Sequence, residues 1–298
     1  MPVLIKRRTA FLQILTTTMI WGTTYVLVRI GQADLGPMTL AGIRYTLAGL
    51  ILLPILKTRK IHIRDYKKNF WQLALLGLLS FTIANGSSGF ALEYLPSNTV
   101  AFVTSLSAPL VLLFSIFFLS EIPNVIQVAG VGLSIVGLLM YFPPQELAFD
   151  NPGYWFLLVS LLGFAFYTIL GRFVARSGDV PFLIQTSIPF IIGGGLLLIL
   201  ALIFEGMPVF TFKSGFILIW MVIFNCIIGY LLYNQSLAVL TALEVNMVSK
   251  LQMFFSAVFA FFLLGEKITV LQILAMAVVF LGVYLVQRQS RFKPKPIP

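Results

Sequence analysis

Long apolar runs that recur along the whole chain are the feature that most constrains its fold. A membrane-spanning helix needs roughly 20 mostly apolar residues, and charged, proline and glycine residues divide this sequence into ten such runs. Only 10% of the residues are charged and 59% are hydrophobic, a balance that cannot cover a water-soluble surface. The sequence therefore predicts an all-α integral membrane protein with ten transmembrane helices at 10–31, 37–56, 70–92, 97–119, 125–142, 153–174, 182–204, 214–236, 243–264 and 269–287.

The basic residues predict the orientation of these helices in the membrane. With the N-terminus on the cytoplasmic side, 15 basic residues fall on that side, including Arg172 and Arg176 in the sixth loop, and only Arg29, Lys213 and Lys267 fall on the other. Loops rich in lysine and arginine stay in the cytoplasm. We therefore expect a multi-pass protein of the cell membrane with both termini cytoplasmic, and we assign the net charge of +10 to membrane orientation and not to nucleic-acid binding.

An internal repeat divides the chain into two similar halves. A shift of 145 positions aligns residues 92–141 with 237–286, and 12 of the 50 pairs are identical. Equivalent helices end together, and the identical pairs include the glycine pair Gly137/Gly282 and the polar pairs Glu121/Glu266 and Gln127/Gln272. The sequence therefore predicts two five-helix units, residues 1–146 and 147–298.

Five is an odd number of crossings, so the second unit must enter the membrane upside down relative to the first. Inverted repeats of this kind are typical of secondary transporters, whose substrate site lies near the bilayer midplane between the repeats. This topology predicts transport by alternating access through a central cavity.

Four short motifs lie in order along the chain: Trp21-Gly22-Thr23-Thr24, Gly42-Ile43-Arg44-Tyr45, Pro109 with Leu119-Ser120-Glu121, and Leu264-Gly265-Glu266. They resemble motifs of the drug/metabolite transporter superfamily, and specifically of its ten-helix EamA-type exporters. The resemblance covers almost the whole chain and implies export of amino acids, other metabolites or drugs. One position departs from the pattern: Phe254 stands where a second proline is expected, which predicts a straighter ninth helix.

Lys250 is the sharpest candidate for a substrate-binding residue. It lies seven residues into the ninth predicted helix, about 10 Å from the helix start at about 1.5 Å per residue, and its repeat counterpart is the neutral Ser105. A charge inside the membrane is costly and marks a pathway or binding site. Asn246, Ser249 and Met253 continue a partly polar face. A cationic site suits the carboxylate of an amino or organic acid, although snorkelling to the cytoplasmic interface remains an alternative.

Polar stripes on the third and eighth predicted helices form a second group of candidates. Asn85, Ser88 and Gly89 correspond to Tyr230, Tyr233 and Asn234 at the shift of 145, and spacings of three and four residues place each set on one helix face. Such a face turns towards protein or a wet cavity. Cavity lining and hydrogen bonding between helices are both open.

Aromatic side chains in the first helix of each unit complete the predicted site. Trp21, Tyr25 and Tyr167 combine apolar rings with polar groups, which suits a pocket for a planar or zwitterionic solute. Packing remains the alternative for Trp21 and Tyr167, and an interfacial position for Tyr25.

Several other residues are predicted to have structural roles. We expect Arg44 to link helices or to extend outward to the membrane interface, with direct substrate contact as the alternative. We expect Glu121 and Glu266 to cap backbone amides of neighbouring helices. Small residues predict close helix packing in the fifth helix, and Pro189 with three glycines permits a bend in the seventh. The residues are Gly130, Ser134, Gly137, Gly193, Gly194 and Gly195.

The remaining residues favour a transporter over other classes of membrane protein. No nucleotide-binding loop is present, and Cys226 and His62 are the only cysteine and histidine, so we predict no cofactor and no metal. The alternatives are a lipid-modifying membrane enzyme and a non-transporting sensor or scaffold. No acid lies near the midplane of a predicted helix, which predicts facilitated diffusion or solute exchange without proton coupling.

Overall fold

The computed structural model describes residues 6–31, 34–95, 100, 103–104, 106–141, 151–264 and 268–288. The regular structure of these residues is helical. A short 3-10 helix, Ile63–Asn69, precedes the third long helix. The long helices are α1 (Arg7–Gly31), α2 (Pro37–Thr58), α3 (70–94), α4 (Ser107–Leu119), α5 (Val125–Tyr141), α6 (Gly153–Ser177), α7 (Phe182–Phe204), α8 (Phe212–Val239), α9 (242–264) and α10 (Val270–Arg288).

Eight of the described helices are long and apolar enough to cross a membrane. The other two, α4 and α5, have 13 and 17 described residues, and part of the predicted span 97–119 lies outside the described residues. Large apolar side chains such as Phe117, Trp155 and Phe262 point away from the protein, as expected of a surface that faces lipid. The protein is therefore a multi-span membrane protein, and crossing by α4 and α5 stays a prediction.

The helix ends meet at two opposite faces of the bundle. At the first, here called the Arg7 face, Arg7 of α1 pairs with Glu244 of α9, and the Gln287 amide of α10 donates to the Glu244 carbonyl at 3.0 Å. At the second, the Glu205 face, the Glu205 carboxylate after α7 accepts hydrogen bonds from two backbone N–H groups in the first turn of α2. Thus α1 begins and α10 ends at one face.

The first helices of the two predicted units, α1 and α6, run in opposite directions. α1 begins at the Arg7 face, whereas Arg172, near the end of α6, lies at that face beside Glu121 and the start of α9. Which side of the membrane each face meets stays a prediction, as do the boundaries of the two units.

Matching caps explain one of the identical pairs in the internal repeat. The Gln127 side chain accepts from the Asn124 N–H at the start of α5, and Gln272 accepts from the Thr269 N–H at the start of α10. In return, the Asn124 and Thr269 side chains accept from the N–H groups of the two glutamines. Such reciprocal bonds satisfy N–H groups that a helix start leaves unpaired.

The predicted close packing of α5 is confirmed, and its partner is α10. A Cβ atom on Gly130 would lie 2.7 Å from the Gly282 carbonyl oxygen, and one on Gly137 would lie 2.9 Å from the Ala275 carbonyl oxygen. Ser134 is buried at the same interface, where its Oγ donates to the Gly130 carbonyl. Small residues therefore allow the two backbones to touch.

A short turn of tighter hydrogen bonding interrupts α9, and the predicted straighter course of this helix stays a prediction. The α-helix stops at Ser249 and resumes at Gln252, and around this break the N–H groups of Lys250 and Leu251 bond to carbonyls three residues back instead of four. The break needs no proline. Leu106, the repeat counterpart of Leu251, makes the same i−3 bond just before α4.

Three helices contain π-helical segments. They are Leu78–Ala84 in α3, Met221–Ile228 in α8 and Phe190–Gly194 in α7, the last directly after Pro189. Proline lacks an N–H group, which explains a local change of hydrogen bonding in α7. Gly193 packs against the Gly77 backbone of α3, so it serves close contact, and the predicted bending at this place stays a prediction.

Candidate functional site

Three of the predicted site residues meet in one aromatic cluster between the two halves of the chain. The Trp21 ring of α1 lies 4.9 Å from the Tyr230 ring and 5.4 Å from the Tyr233 ring of α8. Tyr167 of α6 stacks on Tyr233 at 6.0 Å and meets Tyr230 at 6.4 Å. The three tyrosines are each less than 10% exposed, so the cluster is closed in this conformation.

The cluster continues towards α2, α3 and α7. Tyr230 packs against Tyr45, Phe81 and Phe190 at centroid distances of 6.2, 5.3 and 5.1 Å. Tyr45 in turn stacks on Phe190 at 5.5 Å. The aromatic cluster, here meaning Trp21, Tyr45, Phe81, Tyr167, Phe190, Tyr230 and Tyr233, therefore joins helices from both halves.

The Trp21-Gly22-Thr23-Thr24 motif attaches α1 to α8 and α9. The Trp21 Nε1–H donates to the Asn225 carbonyl at 2.9 Å, and the Asn225 amide donates to the Thr24 hydroxyl at 2.7 Å. Gly22 lies directly against Phe255 of α9, leaving no room for a side chain. Trp21 thus has a packing role in this conformation, and its ring borders the centre of the cluster.

The polar stripes are satisfied mainly by protein groups. The Asn85 amide donates to the Ser80 carbonyl at 2.7 Å and its oxygen accepts from the Tyr45 hydroxyl at 3.2 Å. Ser88 bonds within its own helix, to the Asn85 carbonyl. Asn234 donates to the Thr186 hydroxyl at 2.9 Å, and within the described structure its buried Oδ1 has no partner. Asn85 and Asn234 therefore link helices.

Lys250 lies at the break of α9 and is only 9% exposed. Its ammonium donates to the Ser107 hydroxyl of α4 at 2.5 Å, and Asn246 also donates to this hydroxyl, at 3.4 Å. The Asn246 Oδ1 is buried, and no hydrogen-bond partner for it is found among the described residues. Lys250 makes no ion pair with any described acid, and it points into the protein instead of snorkelling to the interface.

Two predicted site residues, Lys250 and Tyr25, are not placed in the aromatic cluster. The Lys250 side chain bonds to Ser107 of α4 and not to a residue of the aromatic cluster. Gln252, two residues later in the chain, does reach the cluster, because its amide donates to the Trp21 carbonyl at 3.1 Å. Tyr25 lies in α1, and its side chain is outside the described part of the chain, as are Ser105 and Glu266.

The capping role of Glu121 is confirmed. One carboxylate oxygen accepts from the Ala242 N–H at the start of α9 at 3.0 Å, and the other accepts from Arg172 Nε of α6 at 2.9 Å. Arg172 is only 2% exposed and also donates to the Leu237 carbonyl at 2.5 Å. Its assignment to a loop is therefore wrong, because it lies in α6 as the buried partner of Glu121, and Arg176 lies in the last turn of the same helix. The cytoplasmic side of both residues stays a prediction.

Sequence reasoning missed two further roles of acidic residues. Glu244, fully buried, forms a capping box with Thr241 at the start of α9 in addition to its pair with Arg7. Glu205 caps α2, accepting from the Met38 and Thr39 N–H groups at 2.8 and 2.7 Å. The spacing of Thr241 and Glu244, Thr-x-x-Glu, predicts a capping box. No local signal connects Glu205 with α2, which begins 168 residues earlier in the chain.

Comparison with known proteins places this arrangement in a family. The sequence pattern described as the EamA-like transporter family matches the chain twice, at residues 8–142 and 151–288. A solved crystal structure superposes with a TM-score of 0.83 over 96% of this chain and 100% of that chain, at 17% sequence identity, which shows the fold alone.

Similar proteins from two bacteria cover nearly the whole chain. An uncharacterized transporter of Clostridium kluyveri is 25% identical over 91% of this chain and 91% of its own length. The uncharacterized inner membrane transporter YedA of Escherichia coli is 26% identical over 93% of this chain and 90% of its own length. The chain carries two copies of the same domain and belongs to the EamA-like transporter family.

Proposed function

We propose that this protein is a secondary transporter that exports amino acids or related small metabolites or drugs. The two halves would rock about the aromatic cluster to give access to each side in turn. The name of the Escherichia coli relative and the bias of basic residues support a place in the cell membrane, with the Arg7 face in the cytoplasm.

The observation that carries the proposal is the buried ammonium of Lys250. A lysine that is taken out of water without a carboxylate partner loses hydration that one hydroxyl does not replace. The chain nevertheless holds this side chain at the break of α9, beside Ser107 and the Asn246 Oδ1, for which the described residues supply no partner. A substrate carboxylate would supply the missing counter-charge, and an amino group of the same solute would find an acceptor in the asparagine oxygen.

The break in α9 gives this site a means of changing shape. Residues 242–249 are anchored at the Arg7 face by Glu121 and Thr241, whereas residues beyond 252 pack against α1 through Gly22 and Phe255. Movement of one half of the chain against the other would bend α9 at Lys250, where i−4 hydrogen bonds are already absent.

Transport is tested in proteoliposomes loaded with an isotope-labelled mixture of the twenty protein amino acids. We expect at least one component to leave faster than from protein-free liposomes. Lys250→Ala should slow this efflux about tenfold or more, because it removes a charge-assisted hydrogen bond to the substrate. Lys213→Ala removes an exposed lysine and serves as the matched control. Ser107→Ala removes the hydrogen bond but retains the charge, and should keep most of the efflux.

Two outcomes would overturn the proposal. Unchanged efflux with folded Lys250→Ala would show that the lysine does not bind substrate. Wild-type protein that moves no component of the mixture, but converts the liposome lipid, would support the alternative of a lipid-modifying enzyme.

The described acids support transport without proton coupling. Glu121 and Glu244, the two buried acids of the described residues, are each paired with an arginine and each cap the start of α9, so both already have structural roles. We therefore propose facilitated diffusion or exchange. Efflux should run without a pH difference, and uphill accumulation that requires a proton gradient and is lost in Glu244→Gln would contradict this coupling.

A further inference from the structure

Arg44 of α2 is a second buried cation whose donors are incompletely used. The side chain is 7% exposed. One terminal nitrogen donates to the Tyr45 hydroxyl at 2.9 Å, the other meets the Met221 sulfur at 3.9 Å, and Nε has no partner within the described structure. The guanidinium carbon lies 4.7 Å from the centre of the Tyr45 ring. Arg44 therefore neither reaches outward nor makes an ion pair with a described acid.

Arg172 shows how the same bundle treats an arginine with a structural role. It is also buried, but its Nε donates to the Glu121 carboxylate and a terminal nitrogen donates to a backbone carbonyl. A thioether and a single hydroxyl do not balance a guanidinium in this way, because a buried charge requires a counter-charge or strong acceptors. The contrast points to a partner for Arg44 that is not among the described residues.

Arg44 borders the aromatic cluster through its neighbour Tyr45. It lies seven residues after Pro37, about 10 Å below the Glu205 face at about 1.5 Å per residue. Lys250 lies eight residues after Ala242, about 12 Å from the opposite, Arg7 face. The two cations therefore approach the centre of the bundle from opposite faces.

We infer that Arg44 is a second anion-binding residue, which receives the carboxylate of the transported solute on the side of the aromatic cluster towards the Glu205 face. This inference rests on the proposed function and narrows its substrate class to solutes with an anionic group. The planar guanidinium suits a carboxylate, which it binds through two parallel hydrogen bonds. Lys250 binds the carboxylate on the side of the Arg7 face, and Arg44 binds it on the side of the Glu205 face.

The test uses proteoliposomes that contain the labelled mixture of twenty amino acids together with the amines obtained from them by decarboxylation. Arg44→Gln is expected to raise the half-saturating concentration of the transported amino acids about ten- to hundredfold, with little effect on any transported amine. Arg44→Lys should restore part of the affinity. Arg59→Gln, at the exposed end of α2, is the matched control.

Met221→Leu separates binding from packing, because it removes the sulfur that contacts Arg44 and leaves the charge. Amino acid transport by Met221→Leu should stay within about threefold of the wild type, less than the loss of a charged hydrogen bond. Equal losses in Arg44→Gln and Met221→Leu, for amines and amino acids alike and with lowered thermal stability, would overturn the inference and give Arg44 a structural role only.

The outcomes also distinguish the inference from the proposed function. If Arg44→Gln keeps the half-saturating concentration of the wild type while Lys250→Ala is inactive, the role given to Arg44 is overturned and the proposed function is not. If Arg44→Gln does not fold, the half-saturating concentrations of Arg44→Lys and Met221→Leu decide, because only a binding role predicts a rise in the first without a rise in the second. Absence of transport of every component by the wild type would overturn amino acid export and, with it, the role given to Arg44.

Discussion

The buried pair between Glu121 and Arg172 supports the sharpest prediction about stability. Glu121→Gln keeps the size of the side chain and retains an oxygen for the Ala242 N–H group, but it removes the negative charge. Arg172 is 2% exposed and would then have the Leu237 carbonyl as its remaining acceptor in the described structure. The substitution therefore isolates the cost of an uncompensated buried charge.

The expected magnitude follows from this burial. Removing one partner of a buried ion pair costs about 3–5 kcal/mol, because the other charge remains out of water. Glu121→Gln should lower the free energy of unfolding by this amount. The double variant Glu121→Gln/Arg172→Gln leaves two neutral amides, so its loss should be smaller than the sum of the single losses, with an interaction of roughly 1–3 kcal/mol.

The measurement is the reversible unfolding of purified protein in mixed micelles with increasing denaturing detergent. Asp179→Asn neutralises an exposed acid two residues after α6 and should change the free energy of unfolding by no more than about 0.5 kcal/mol. A loss below about 1 kcal/mol in Glu121→Gln, or strict additivity in the double variant, would refute the reasoning for a buried charge pair.

Three further predictions concern packing, capping and orientation. Gly137→Ala should destabilise the protein by about 1–3 kcal/mol, because the added methyl meets the α10 backbone, whereas Gly132→Ala in the same helix meets nothing within 4 Å and should be neutral or stabilising in the same unfolding assay. Glu205→Ala should cost about 0.5–2 kcal/mol through loss of the α2 cap, and Glu205→Gln should cost less; equal losses would contradict the capping role. Reporter fusions should place Arg64 inside and Asn151 outside, and an external signal at Arg64 would reverse the orientation.

The amino-acid sequence alone determines the helices and their local ends. Uninterrupted apolar runs cannot leave backbone groups unpaired in lipid, so they form helices whatever their neighbours are. Caps act within one turn, which is why the repeated Gln127 and Gln272 occupy equivalent positions in α5 and α10. Close packing at Gly130 and Gly137 was also predictable, because small residues one or two turns apart expose the backbone of a helix.

The candidate site was predictable only in part. Trp21, Tyr167 and Tyr230 meet in one cluster, and Lys250 is buried as its position in an apolar run indicates. Spacing could not show that Asn85 and Asn234 find protein partners, because the partners belong to other segments. The Tyr45 hydroxyl donates to Asn85, and the Thr186 hydroxyl accepts from Asn234. The break in α9 also escaped prediction, since only the hydrogen-bond pattern of the folded chain reveals it.

The tertiary structure alone decided which charges are neutralised. In the sequence Arg172, Arg44 and Lys250 are three cations in or beside apolar runs, and nothing local distinguishes them. Folding brings Glu121, 51 residues away, to Arg172, but it brings no described acid to Arg44 or Lys250. A charge in a medium of low dielectric constant depends on whatever lies within a few ångströms, and in a bundle of helices those neighbours are distant in the chain.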